Sequence, residues 1–164
     1  MRTSKTPLTS AAIKQALFDL KFAVAPSTVL RYLPTHRAPT EEIDEHLRTP
    51  RTLTDLEVGV VRKLLSSEVT GASEYLTQVP HARVVATWGV GSPSVDLEVE
   101  SGPEPASASM DGIFASGDVS DRGGRPVGEV ILWVEAGWLS GIEYAWYTDE
   151  RPHSLPDPSR IRLR

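Results

Sequence analysis

The sequence predicts an α+β domain: two helices packed on one face of an antiparallel sheet of four to five strands, with a short helical N-terminal appendage. Three observations carry this. Val127–Glu135 and Trp138–Tyr147 are runs rich in β-branched and aromatic residues, separated by Ala136-Gly137, the pattern of a β-hairpin. Ahead of them, Thr54-Asp-Leu-Glu57 is a capping box that opens a segment with apolar residues at helical spacing. Between the two, Val95, Leu97 and Val99 alternate with Asp96, Glu98 and Glu100, as in a strand with one buried face. Helices grouped ahead of strands point to α+β rather than to an alternating, parallel fold.

Each element has its own signal. Ser10–Leu20 places Ile13, Ala16, Leu17 and Leu20 on one helical face. Pro26–Leu33 reads as a second short helix ended by Pro34, and Thr40–Arg48 as a third, very polar one. Pro34, Pro39 and Pro50 separate these pieces, so residues 1–51 are expected to be an appendage and linker, and 52–164 the main domain. There the capped helix carries Val58, Val61, Leu64 and Leu65 inward, flanked by a staple of Leu53 and Val58. Ala72, Tyr75, Leu76 and Val79 repeat the pattern until Pro80. Expected strands follow at 83–88, 94–100 and 112–119, then the hairpin, with Ile161–Arg164 as a short edge strand. Along 138–147, strict alternation puts Trp138, Ser140, Ile142, Tyr144 and Trp146 on one face. That set is the more apolar, so it is expected to meet the helices.

Composition excludes several classes of function. The chain has no Cys, which removes disulfides, thiolate metal sites and a cysteine nucleophile. Its four His, at 36, 46, 81 and 153, have no metal-ligand spacing. Gly-Ser-Pro at 91–93 and Gly-Gly at 123–124 read as turns, because neither opens a helix after a strand. No apolar run approaches membrane-spanning length, and the first residues do not read as a signal peptide, so a cytoplasmic protein is expected. No catalytic residue, cofactor or metal is expected.

Charge is uneven. Residues 1–52 carry eight Lys/Arg against five Asp/Glu, whereas 53–164 carry nine against seventeen. The acidic body disfavours nucleic acid and suits a basic protein partner, since opposite fields steer association. The acid set is Asp96, Glu98, Glu100, Glu129, Glu135 and Glu143. Glu129 and Glu143 are expected to lie near each other across the hairpin. Glycosidase chemistry uses two carboxylates about 5–9.5 Å apart across a cleft, but here the acids alternate with apolar residues, as solvent-facing side chains do. The expected contact surface is therefore Asp96, Glu98, Glu100, Glu129, Glu143 and the aromatic Tyr147. The expected function is that of a non-enzymatic protein-binding module, with immunity to a basic toxin as one concrete version.

Two resemblances add expectations. Phe22-Ala-Val-Ala-Pro-Ser-Thr-Val-Leu-Arg-Tyr-Leu33 is similar to the helix-turn-helix segment of integrase-core transposases, over residues 12–36. The resemblance implies that Ser27, Thr28 and Arg31 face DNA while Val29 and Leu33 pack. It departs where the turn usually has Gly; Lys21 and Ala23 stand there. With six Lys/Arg against one Asp over residues 1–40, the segment offers a weak positive field for phosphate. A DNA-binding regulator or transposase-derived fusion is thus the alternative function. Residues 53–164 resemble a group of small actinobacterial proteins of unassigned function. The matching features are Pro80-His-Ala-Arg-Val-Val85, Pro93-Ser-Val-Asp-Leu97, Gly137-Trp-Leu-Ser-Gly-Ile-Glu143 and Tyr147-Thr-Asp-Glu-Arg-Pro152. Those relatives often carry Cys near the 88–92 turn, where this chain has Trp88, Val90 and Ser92.

Overall fold

The computed structural model describes residues 50–107 and 110–164. The helices expected at Ser10–Leu20, Pro26–Leu33 and Thr40–Arg48 lie outside the described residues. Among those described, β1 (Arg51–Thr52) leads into α1 (Asp55–Leu65) and α2 (Ala72–Gln78), and a 3-10 turn (Val79–His81) enters β2 (Ala82–Thr87). Then come β3 (Val95–Val99), β4 (Gly112–Ser120), β5 (Pro126–Glu135), β6 (Trp138–Trp146), a second 3-10 turn (Pro158–Arg160) and β7 (Ile161–Leu163). The strands form one seven-stranded sheet in the order β1-β2-β3-β6-β5-β4-β7, and every pairing is antiparallel. The α+β class holds. The strand count exceeds the expected four to five, because β1 is a two-residue strand too short to show periodicity and the terminal edge strand pairs fully with β4.

The capping box forms as the sequence requires. The Glu57 N–H donates to Thr54 Oγ1 at 3.2 Å, and the Thr54 N–H donates to Glu57 Oε2 at 2.7 Å. Glu57 is also buried and receives both guanidinium nitrogens of Arg51 at 2.8 Å, which fastens β1 to α1. Burial raises its pKa, but the Arg51 and Thr54 hydrogen bonds outweigh that and hold the carboxyl below its ordinary range.

Both helices pack on one face of the sheet. Val60, Val61, Leu64, Leu65 and Tyr75 meet Val84, Val95, Leu97, Val130, Leu132, Val134, Leu139, Ile142 and Ile161 in one core. α2 differs from expectation at two positions. Leu76 is 39% exposed, whereas Gln78 is fully buried. The helix is only seven residues long, so its inward stripe runs through Ala72, Tyr75 and Gln78. The Gln78 carboxamide takes the place of a strand residue. It donates to the Gly137 carbonyl at 2.8 Å and accepts from the Leu139 N–H at 3.0 Å. β3 and β6 pair only at Val95–Ile142 and Asp96–Gly141, so beyond that point the edge of β6 bonds to this side chain.

The hairpin turn Ala136-Gly137 has positive φ at both residues, +50° and +83°, the twist that a two-residue hairpin loop needs. A Cβ on Gly137 would lie 2.8 Å from the Ala106 carbonyl oxygen, so glycine is required there for approach as well as for φ. The β5–β6 register slips between Trp133 and Val134, leaving Ser140 as the extra residue of a bulge. That bulge corrects the expected face assignment. Leu139, Ile142 and Tyr144 join the core with Trp146 packed against it, but Trp138 pairs with Glu135 on the other face. Trp146 is half-buried rather than central.

Candidate functional site

The register gathers most of the expected site residues on the sheet face opposite the helices. One row across it reads Ala86, Asp96, Gly141, Trp133 and Ile113. The next holds Glu143, Ile131 and Ser116, and the third Ala145, Glu129, Asp118 and Arg162. Glu98 lies on the same face, opposite Arg83.

The environments of these residues fall into two groups. Glu98 is exposed, and Glu100, with 56% of its side chain exposed, pairs with Arg83 at 2.8 Å. Asp96 is half-buried and accepts from Trp88 Nε1 at 3.1 Å. Glu129 and Glu143, in contrast, are buried, which corrects the expectation that they face solvent. The reason is visible in β5. Val130–Val134 is a continuous apolar run, the pattern of a strand buried on both faces, not an alternating one. Ile131 and Trp133 on this far face are as buried as Leu132 and Val134 on the helix face. Buried carboxylates need hydrogen-bonded partners, and these have them. Trp133 Nε1 donates to Glu143 Oε2 at 2.9 Å. Arg164 Nη1 donates to Glu129 Oε1 at 2.9 Å, while the Tyr147 hydroxyl lies 3.5 Å from Glu129 Oε2.

Arg164 also bonds Asp118 through Nε at 2.9 Å, so it bridges two carboxylates. The Arg164 hydrogen bond holds the Asp118 carboxyl below its ordinary range. Burial, then the Glu129 charge, pushes the Tyr147 hydroxyl up, although its side chain remains largely at the surface. Arg164, Asp118, Trp88 and Trp133 are the members of this face that the sequence reading missed. Only the burial of Trp133 was legible, in the unbroken apolar run. Trp88 is brought in by the local β2–β3 link, eight residues from Asp96, and Asp118 and Arg164 by pairing between strands distant in sequence. Ser27, Thr28 and Arg31 lie outside the described residues.

Chemically, the face is a set of paired acids around an apolar centre. Glu129 and Glu143 are each held by a neighbouring donor instead of lining a cleft together. Among the described residues, no group of three or more His, Cys, Asp or Glu is placed to hold a metal ion. No described helix is long and apolar enough to cross a membrane. No family model, curated protein or solved structure matches the chain.

Proposed function

We propose that the chain is a non-enzymatic cytoplasmic binding protein that meets a basic protein partner through the acidic end of its far sheet face, with immunity to a basic toxin as one version. The observation that supports this is the placement of two exposed carboxylates, Glu98 on β3 and Glu100 just after it beside Arg83, where the alternate residues Val95 and Leu97 are locked in the core. A rigid ladder presents these charges with no backbone left to order on binding, and their main effect is on association rate. Glu129 and Glu143 support the face from below rather than touching the partner, and Tyr147 lies on its far side from β3.

The test is charge reversal at Glu98 and Glu100. Asp96 is left unchanged because its bond to Trp88 gives it a structural part. Wild type and Glu98→Lys/Glu100→Lys are compared in capture from the producing cells, followed by association kinetics with each basic protein retained. A partner held by wild type, with an association rate that drops steeply in the variant and loses its salt dependence, supports the reading. Equal rates for both would remove this face from consideration. If the full chain instead binds a duplex in a manner abolished by Arg31→Ala, the DNA-binding alternative through Ser27, Thr28 and Arg31 takes its place.

A further inference from the structure

The two edges of the sheet are built differently. At one end, β1 has two residues, and its Arg51 is taken up by Glu57 through two hydrogen bonds. At the other end, β7 pairs with β4 on its inner side, and no described strand lies on its outer side. The Arg164 N–H donates to the Ser116 carbonyl at 3.2 Å. In an antiparallel ladder alternate residues turn both backbone groups to the same neighbour. Arg162 therefore faces β4, and Leu163 turns its N–H and C=O outward. The Ile161 N–H closes the 3-10 turn on Pro158, which leaves its C=O outward as well.

Cations surround this edge. Arg160 and Arg162 are exposed at the start and middle of β7, and Arg122 and Arg125 are exposed in the turn between β4 and β5. Pairing brings the two groups together. Val119 lies opposite Ile161, and Arg160 Nε donates to the Ser120 carbonyl at 2.8 Å, which sets that turn beside the start of β7. Arg125 pairs with Asp121 at 3.3 Å. Arg122, Arg160 and Arg162 make no ion pair among the described residues. The nearby carboxylates, Asp118 and Asp157, are hydrogen-bonded by Arg164 and by Ser159, and they act on Arg162 and Arg160 through charge without an ion-pair contact.

We propose that β7 is a docking edge for an extended acidic peptide segment, which adds to the sheet as a further strand. This goes beyond the acidic-face reading and uses a different surface. Strand addition takes its affinity from main-chain hydrogen bonds and its selectivity from flanking side chains. The flanking charge here also says which strand is refused. A second β7, paired antiparallel, would bring Arg162 against Arg162, and cations on an edge repel such copies. A polynucleotide would match the charge but cannot satisfy the outward N–H and C=O of Leu163 in a ladder. An acidic segment satisfies both.

The experiment uses the full chain, a labelled peptide alternating Glu and Val, and a single-stranded oligonucleotide of equal charge. Fluorescence anisotropy measures binding, and amide hydrogen exchange reads Leu163. The expected result is salt-dependent binding of the peptide with slowed exchange at the Leu163 N–H. Arg122→Ser/Arg162→Ser should weaken binding on the order of tenfold, with unchanged unfolding by denaturant. A second variant reaches the edge without touching its charges: an added methyl in Gly117→Ala would meet the Ile161 side chain and the Arg162 carbonyl, which displaces β7. It should lose both peptide binding and Leu163 protection. Absence of peptide binding, binding indifferent to the double substitution, or oligonucleotide binding as tight as that of the peptide without protection of Leu163 would overturn the proposal.

Discussion

β3 and β5 belong to one sheet and lie two strands apart, yet they treat the same face in opposite ways. In β3, alternation is clean, with Val95 and Leu97 in the core, Asp96 half-buried and Glu98 at the surface. In β5, seven consecutive residues from Gly128 to Val134 are buried, and Glu129 and Glu143 are buried with them. The difference teaches how to read an acid on a strand. Beside alternating neighbours, as at Glu98, it is a surface charge. Beside an unbroken apolar run it is an interior charge, and its role is to satisfy other interior groups such as the Trp133 indole and the Arg164 guanidinium.

Substitutions can break this contrast. The largest effect is expected on the far face of β5. Trp133→Ala should cost about 3–5 kcal/mol and Ile131→Ala about 2–5 kcal/mol, as for any buried side chain. Denaturant midpoints at constant slope would measure this, and a cost for Ile131→Ala well below that of Leu132→Ala would show that the far face is not packed like the core. Trp146→Ala should cost less than Trp133→Ala, because Trp146 is half-buried and only flanks the core, with Arg151 5.9 Å over its ring.

Next in size is Gln78→Leu. It keeps volume but strands the Gly137 carbonyl and the Leu139 N–H, for a loss of about 1–3 kcal/mol. Faster amide exchange at Leu139 would place the loss at the β6 edge, and an unchanged Leu139 amide would show that another group holds it.

A smaller effect is expected at Glu57, visible through pH. Its folded-state pKa is lowered, so its stabilisation is fully present above the unfolded value, about 4.3, and is lost as pH falls through the folded value. Stability of wild type should therefore fall on acidification below that range more steeply than that of Glu57→Gln. Parallel curves would show that the bond to Arg51 does not set the titration.

The smallest effect belongs to the surface acid of β3. Glu98→Lys should change stability by within about 0.5 kcal/mol, even as it slows association with a basic partner. A cost like that of a core substitution would move Glu98 into the same class as Glu143 and erase the distinction between the two strands.

Local patterns in the sequence carried much of this architecture. The capping box, the helical stripe of α1, the alternation of β3 and the hairpin with its Ala136-Gly137 turn are all short-range, because each rests on interactions within a few residues. The α+β class follows from their order. Three features were settled only by tertiary pairing. The bulge at Ser140 reversed the side of Trp138 and Leu139, since one extra residue changes the parity of a strand without altering its composition. Gln78 entered the core because β6 lacks a strand partner beyond Gly141, a need that no helical periodicity expresses. Arg164 met Glu129 and Asp118 because β7 pairs with β4, which joins residues more than thirty positions apart. Sequence decides which segments bury one side. An unbroken apolar run such as Val130–Val134 signals burial of the second side as well, but which charges are then paired inside depends on neighbours that only the assembled sheet supplies.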